Sequence, residues 1–416
     1  MITHARRFAR LAPIAMLVAL LVLPAGAPSA QDFIVGGSLS TSFSVDSNLG
    51  LEDEEDDFSY GNTTTVGFGA TLRSEEAVAN LNTSLGLRFF GGSDTAEDID
   101  IFTPALNGGA TVTFGRVTTD SRINFRLDNV AFTEFDVDGG LNSEGIDVDA
   151  NARRLDFGFN QGVSYAISRR NSIVTTAGVA ITRFFETDDE LENSRTLSAG
   201  VSFNRQLSER TTVSLSSSFS AIDVSDFEDT SSRSFTATVG VDRTVSDQLS
   251  LSAAAGARLS RTEENVPVLS FEDGVPVISL VRETDTNLGA TGSFGLTYEA
   301  PRTTLSLSLS NDLSPNSEGE IEVVTALSAS LGRRLTERSS FGLQASISRR
   351  SDQGSSFNDE GGERYFLQIS PGFSYQLTQN WNARLSYSFR ADDDDGDRSV
   401  SNAVTLGFSR PLRILD

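Results

Sequence analysis

Leu305-Ser306-Leu307-Ser308-Leu309-Ser310 alternates one apolar side chain with one hydroxyl, without a break. Successive side chains of an extended strand point to opposite faces, so this stretch makes a ribbon with one greasy and one wetted side. The same period runs outward in both directions. Val213, Leu215 and Phe219 stand between Ser and Thr, and Leu249, Leu251, Ala253, Ala255, Ala257 and Leu259 hold the apolar phase over a longer run. Near the other end, Trp381, Ala383, Leu385, Tyr387 and Phe389 interleave with Asn382, Arg384, Ser386, Ser388 and Arg390. No comparable stretch after the N-terminal segment carries a helical period. From Phe33 to Phe408 the chain therefore reads as all-β.

The connections between these runs alternate short and long. Short turns are read at Ser74–Glu76, Thr118–Ser121, Ser168–Asn171, Ser208–Arg210, Ser246–Gln248, Ala300–Arg302, Thr336–Arg338 and Thr378–Asn380. Longer, mostly acidic connections fall at Leu51–Asp57, Ser93–Asn107, Asp138–Asp149, Thr187–Asn193, Ser225–Ser231, Ser314–Gly319, Asp352–Gly362 and Asp392–Asp397, with a ninth between Arg261 and Asp285. That rhythm gives nine hairpins, about 18 strands with 16 to 18 as the range, and both chain ends on the short-turn side. It favours a membrane-spanning antiparallel up-and-down β-barrel over a soluble periplasmic or surface β-domain. In lipid every backbone amide needs a partner, and only a sheet without a free edge provides one. Hairpin units also recur about every 40 residues, as in Val201-Ser202-Phe203, Leu296-Thr297-Tyr298 and Phe373-Ser374-Tyr375 before their turns.

Composition removes several chemistries. The chain has 33 Arg, no Lys, 57 acidic residues, no Cys and one His, which is His4. A thiolate nucleophile and a lysine Schiff base are out. His4 falls in residues 1–30, which read as a secretory signal: Arg6, Arg7 and Arg10 precede the apolar run Leu11–Leu23, and small residues from Ala25 to Ala30 offer a cleavage zone. The barrel then occupies 31–416, with no imidazole for hydrolysis beside Ser or Asp. Its 30 Arg against 57 acidic residues give a net charge of −27, which disfavours nucleic acid as a partner. No enzymatic role and no cofactor are expected.

Aromatic residues near strand ends are candidates for interfacial girdles: Tyr60, Phe90, Phe132, Phe185, Tyr298, Tyr365, Phe366, Phe373, Tyr375, Trp381 and Phe408. Taken together, residues 31–416 resemble outer-membrane β-barrel proteins of Gram-negative bacteria, in particular porin-like proteins sometimes linked to exopolysaccharide systems. The resemblance implies an outer-membrane location, lipid and lipopolysaccharide around the barrel, insertion by the barrel assembly machinery, and trimers of the kind many porins form. It also implies a final strand whose terminal aromatic residue serves as the assembly signal. Val404, Leu406 and Phe408 fit that strand, so Phe408 is the candidate signal, although the chain continues through Ser409 to Asp416.

If the apolar sets face lipid, their alternates line the interior. That assigns Arg88, Arg122, Arg126, Arg154, Arg258, Arg384 and Arg390 to the lumen with Asp128, Asp156 and Glu322. Arg334, beside a turn, and Arg154, beside a long connection, either line the lumen or reach toward the interface. Basic and acidic groups on opposing walls would create a transverse field that selects small polar solutes. Asp393, Asp395 and Gly396 match part of a calcium loop, but Ala391 and Asn402 occupy its ligating ends, so no metal site is read there. Between Arg261 and Asp285, Asp273-Gly274 joins two β-rich arms, either extending two strands or folding inward as a constriction. The expected function is passive diffusion of small hydrophilic solutes; the alternatives are polysaccharide export or a surface structural or adhesive barrel with a closed lumen.

Overall fold

The computed structural model describes residues 32–48, 58–92, 102–129, 152–185, 191–225, 230–272, 275–315, 321–352, 363–394 and 397–415. Residues 1–31, most of the long acidic connections and Phe132 lie outside them. Eighteen strands follow in chain order. The first six are β1 (Asp32–Asp46), β2 (Ser59–Arg73), β3 (Ala77–Gly91), β4 (Phe102–Phe114), β5 (Val117–Asn129) and β6 (Arg153–Ala166). Then come β7 (Asn171–Phe185), β8 (Asn193–Ser208), β9 (Thr211–Ser225), β10 (Ser231–Ser246), β11 (Leu249–Glu272) and β12 (Val275–Ala300). The last six are β13 (Thr303–Pro315), β14 (Ile321–Arg334), β15 (Ser339–Asp352), β16 (Glu363–Gln376), β17 (Asn382–Asp394) and β18 (Asp397–Leu415). Each pairs antiparallel with its sequence neighbours, and β18 pairs with β1, so the sheet closes on itself.

Pairing in register stacks like on like. Leu309 lies opposite Leu327 and Leu305 opposite Leu331, while Ser306 faces Ser330 and Ser308 faces Ser328. The apolar set forms the outer surface, where Leu215, Phe235, Val239, Leu259 and Leu385 are all exposed. A soluble protein does not leave such side chains in water around its whole circumference. The wall is built for lipid, and the barrel spans a membrane.

Several expectations need correction. The turn between β4 and β5 is Gly115-Arg116, with Gly115 at φ 58°, and Thr118–Ser121 is already strand. β4 begins at Phe102, inside the stretch assigned to a long connection. Phe90 and Phe366 face the lumen, since they pair with Gly61 and Ser348 on the polar face, and Phe90 occupies the space a Cβ on Gly61 would fill. As the continuation of the chain past Phe408 implies, β18 runs on to Leu415, pairing Ser409 with Ser40 and Leu415 with Val35.

Two strand pairs depart from the cylinder toward the long connections. β11 and β12 run on past their neighbours as a ribbon paired only with itself, up to Glu272 opposite Val275. On the other side, β12 and β13 pair over nine positions, from Ala300 opposite Thr303 to Gly292 opposite Asn311. Beyond Asn311, β13 pairs with β14 alone, through Pro315 opposite Ile321. Ile321 shares a buried apolar cluster with Ile222 and Val224 of β9, and Leu313 packs against it. Five strand spacings of about 4.8 Å separate β9 from β14 along the wall, roughly 24 Å. Contact across that distance requires the end of β13–β14 to leave the wall. Ile222 and Val224 alternate with outward Phe219 and Ala221 and so face inward, while Leu313 and Ile321 belong to the outward phase. The outer face of this hairpin end is therefore folded against the inner face of β9.

Replacing Phe408 by Ser should impair insertion, read as loss of heat-modifiable migration from outer membranes; normal migration would remove Phe408 from assembly. Deleting Pro267–Ile278, which lie in the projecting ribbon, should leave single-channel conductance unchanged; an increase would mean that the ribbon constricts the bore.

Candidate functional site

The lumen is the concave surface on which this fold collects polar groups. All ten charged candidates lie on its inward phase, together with Arg334. They fall into two zones.

Toward the long connections the charges are paired and shielded. Arg88 and Arg126 both reach Asp128, with Arg88 Nη2 donating to Oδ2 at 3.0 Å and Arg126 Nη2 at 3.0 Å. Arg154 Nε donates to Asp156 Oδ1 at 3.0 Å, and its guanidinium lies 5.8 Å from the Phe184 ring. Arg350 Nη1 donates to Glu322 at 3.1 Å and Arg364 Nε to Asp392 at 2.9 Å. Across the barrel seam, Arg390 Nη2 donates to Asp46 Oδ2 at 2.7 Å, while the Ser401 hydroxyl donates to Asp46 Oδ1 at 2.7 Å. Asp46, Arg350, Arg364 and Asp392 were not singled out in the sequence, although the same alternation places them on the inner face.

These pairs join the same or nearby strands instead of opposing walls. The expectation of a transverse field is thus not met at this level. A charge withdrawn from water needs a counter-charge within hydrogen-bond reach, and a partner on a nearby strand offers it. Arg258 differs: it is 2% exposed, and its Nε and Nη1 have no hydrogen-bond partner among the described residues. Ser232, Ser234 and Ser260, which share its inner face, are buried with it. Asp312, on the inward-folded end of β13, lies close enough to Arg258 to act on it electrostatically.

Toward the short turns the lumen is lined by hydroxyls and accessible arginines. Ser306 and Ser330 are 2.6 Å apart, as are Ser308 and Ser328, and Ser216 donates to Ser202 at 2.9 Å. Arg122 is 74% exposed and paired with Asp120 at 2.9 Å. Arg384 and Arg334 line one recess of about 390 Å³ with Arg302, Arg333 and Ser374. This surface can exchange hydrogen bonds with passing solute or water at little cost.

A closed antiparallel barrel with an even strand number, a greasy exterior and a polar interior is found in the outer membranes of bacteria. The fold is that of an outer-membrane β-barrel. No protein-family profile and no curated protein matches the chain by sequence. Among solved structures it is similar to vanillate-bound OpdK from Pseudomonas aeruginosa, at 11% identity and a TM-score of 0.45 over 92% of this chain and 99% of that one. OccAB1 from Acinetobacter baumannii is similar at 8% identity and 0.45, over 94% and 99%. The FrpB iron transporter from Neisseria meningitidis matches at 11% identity and 0.44 over 88% of this chain, which spans 63% of that protein.

Breaking the seam pair strands a buried charge. Asp46→Asn and Arg390→Gln should each cost about 3–5 kcal/mol and lower the temperature at which the heat-modifiable form is lost. The double variant should recover part of that loss; a fully additive loss would show that the two groups do not act as a pair.

Proposed function

We propose that the barrel is a channel for passive diffusion of small hydrophilic solutes across the outer membrane. The observation that carries this reading is the hydroxyl-lined inner half, where rows of Ser on β8, β9, β13 and β14 present polar, uncharged walls. Eighteen strands enclose enough volume for an aqueous bore. Solute would shed water for protein hydroxyls without meeting a buried charge there. No reacting group is needed, because diffusion only requires that binding be weak enough to leave.

A closed surface barrel is the reading favoured by the shielded charge pairs and the inward-folded hairpin end at the outer mouth. Planar-bilayer recording of the refolded protein separates the two, since a closed barrel carries no steady current. In a channel, Arg384→Glu should shift the reversal potential in a salt gradient toward cation preference. An unmoved reversal potential would remove Arg384 from the conducting path.

A further inference from the structure

We propose that the outer end of β13–β14 is a lid with two seats: folded inward over Arg258 as seen here, or zipped onto the edge of β12 to complete the wall. The inference rests on the channel reading above. Three observations point to the second seat. Above Gly292, β12 has no ladder partner on β13 among the described residues, the one tie being Thr291 Oγ1 donating to the Asn311 carbonyl at 3.0 Å, and Leu288 on that stretch is 73% exposed. β13 residues 312–315 are already extended and in register with β14, so the hairpin can move as a unit. Continuing the existing register would set Thr291 opposite Asp312 and Ala290 opposite Leu313, adding ladder hydrogen bonds that the present state lacks.

The inward seat has its own attraction and its own cost. Leu313 and Ile321 gain the apolar contact of Ile222 and Val224. Against this, Arg258 is held away from water with two N–H donors unpartnered, and Asp312 is the carboxylate whose charge reaches it. A buried unpaired donor is expensive, whereas the same donor in a wet lumen is not. Two packings with opposing gains are the requirement for a bistable element. Opening would return Arg258 to the bore as a free guanidinium, which attracts small anions such as chloride or acetate. A recess of about 390 Å³ at the branch point, lined by Thr238, Ala254, Thr291, Ser310 and Asp312, leaves room at the hinge.

The chain has no Cys, so each seat can be locked by an introduced pair. Ala290→Cys with Leu313→Cys, or Thr291→Cys with Asp312→Cys as a second pair in the same register, would lock the lid into the wall. Val224→Cys with Ile321→Cys would lock it inward. Cross-linking is read by gel on heat-modifiable protein, and conductance in planar bilayers with and without reductant. Both kinds of disulfide should form, the wall-locked barrel should conduct more than the inward-locked one, and reductant should abolish the difference. Adding Arg258→Gln should reduce the preference for chloride only in the wall-locked form. Wall-seat pairs that stay reduced under oxidant, or locks that leave conductance equal, would overturn the lid. An unchanged chloride preference would overturn the part given to Arg258. Wall-seat disulfides in a barrel that never conducts would leave the lid standing and defeat the channel reading instead.

Discussion

No peptide group in the hydrocarbon core of a bilayer can be left without a hydrogen-bond partner, because each orphan costs several kcal/mol and no water is present to help. Everything else in this structure follows from meeting that demand with strands. The sheet must close, so β18 lies along β1 from Val35 to Asp46. Closure separates an outside from an inside, and the two-residue period then assigns every side chain to lipid or to the bore. The Arg390, Ser401 and Asp46 cluster ties three adjacent strands at that seam, where the first and last parts of the chain must find each other across the whole sequence. Long-range pairing of this kind carries the largest loop-closure penalty in the molecule.

The wall was legible in the sequence because alternation is a local property. Leu305 to Ser310 states its two faces within six residues, and the register only has to respect them. The turn at Gly115-Arg116 is hidden because Thr118, Thr119, Asp120 and Ser121 resemble turn chemistry, yet Thr119 and Ser121 occupy outward positions in a regular ladder. Phe90 and Phe366 were misread because residue type outweighed phase. Asp46, Arg350, Arg364 and Asp392 were available from phase alone. The inward fold of β13–β14 leaves no local mark at all: its cause is a contact between Ile321 and a strand five places away, and nothing in the alternation of either strand announces it.

The division of the bore has a dielectric logic. Near the long connections Asp46, Asp128, Glu322 and Arg390 are shielded from solvent, and there a lone charge would be prohibitive. Pairing at 2.7–3.1 Å offsets that cost and fixes neighbouring strands against one another. Near the short turns the side chains are wetted, so Arg122 and Arg384 can stand open and hydroxyls suffice. Arg258 follows neither rule, being shielded with two of its donors lacking a hydrogen-bond partner among the described residues.

The height at which β12 and β13 separate is consistent with the membrane constraint. Their ladder holds for nine pairs above the Pro301-Arg302 turn. A tilted strand needs roughly 9–11 residues to cross the hydrocarbon layer. The ladder therefore persists about as far as lipid forbids unpaired amides and stops where water or polar headgroups can satisfy them. Below that level a departure from the wall would expose backbone to hydrocarbon; above it, the hairpin is free to exchange ladder hydrogen bonds for the apolar contact of Ile222 and Val224. The same physics that forces the cylinder shut in the lipid permits it to open, and to fold over itself, just outside.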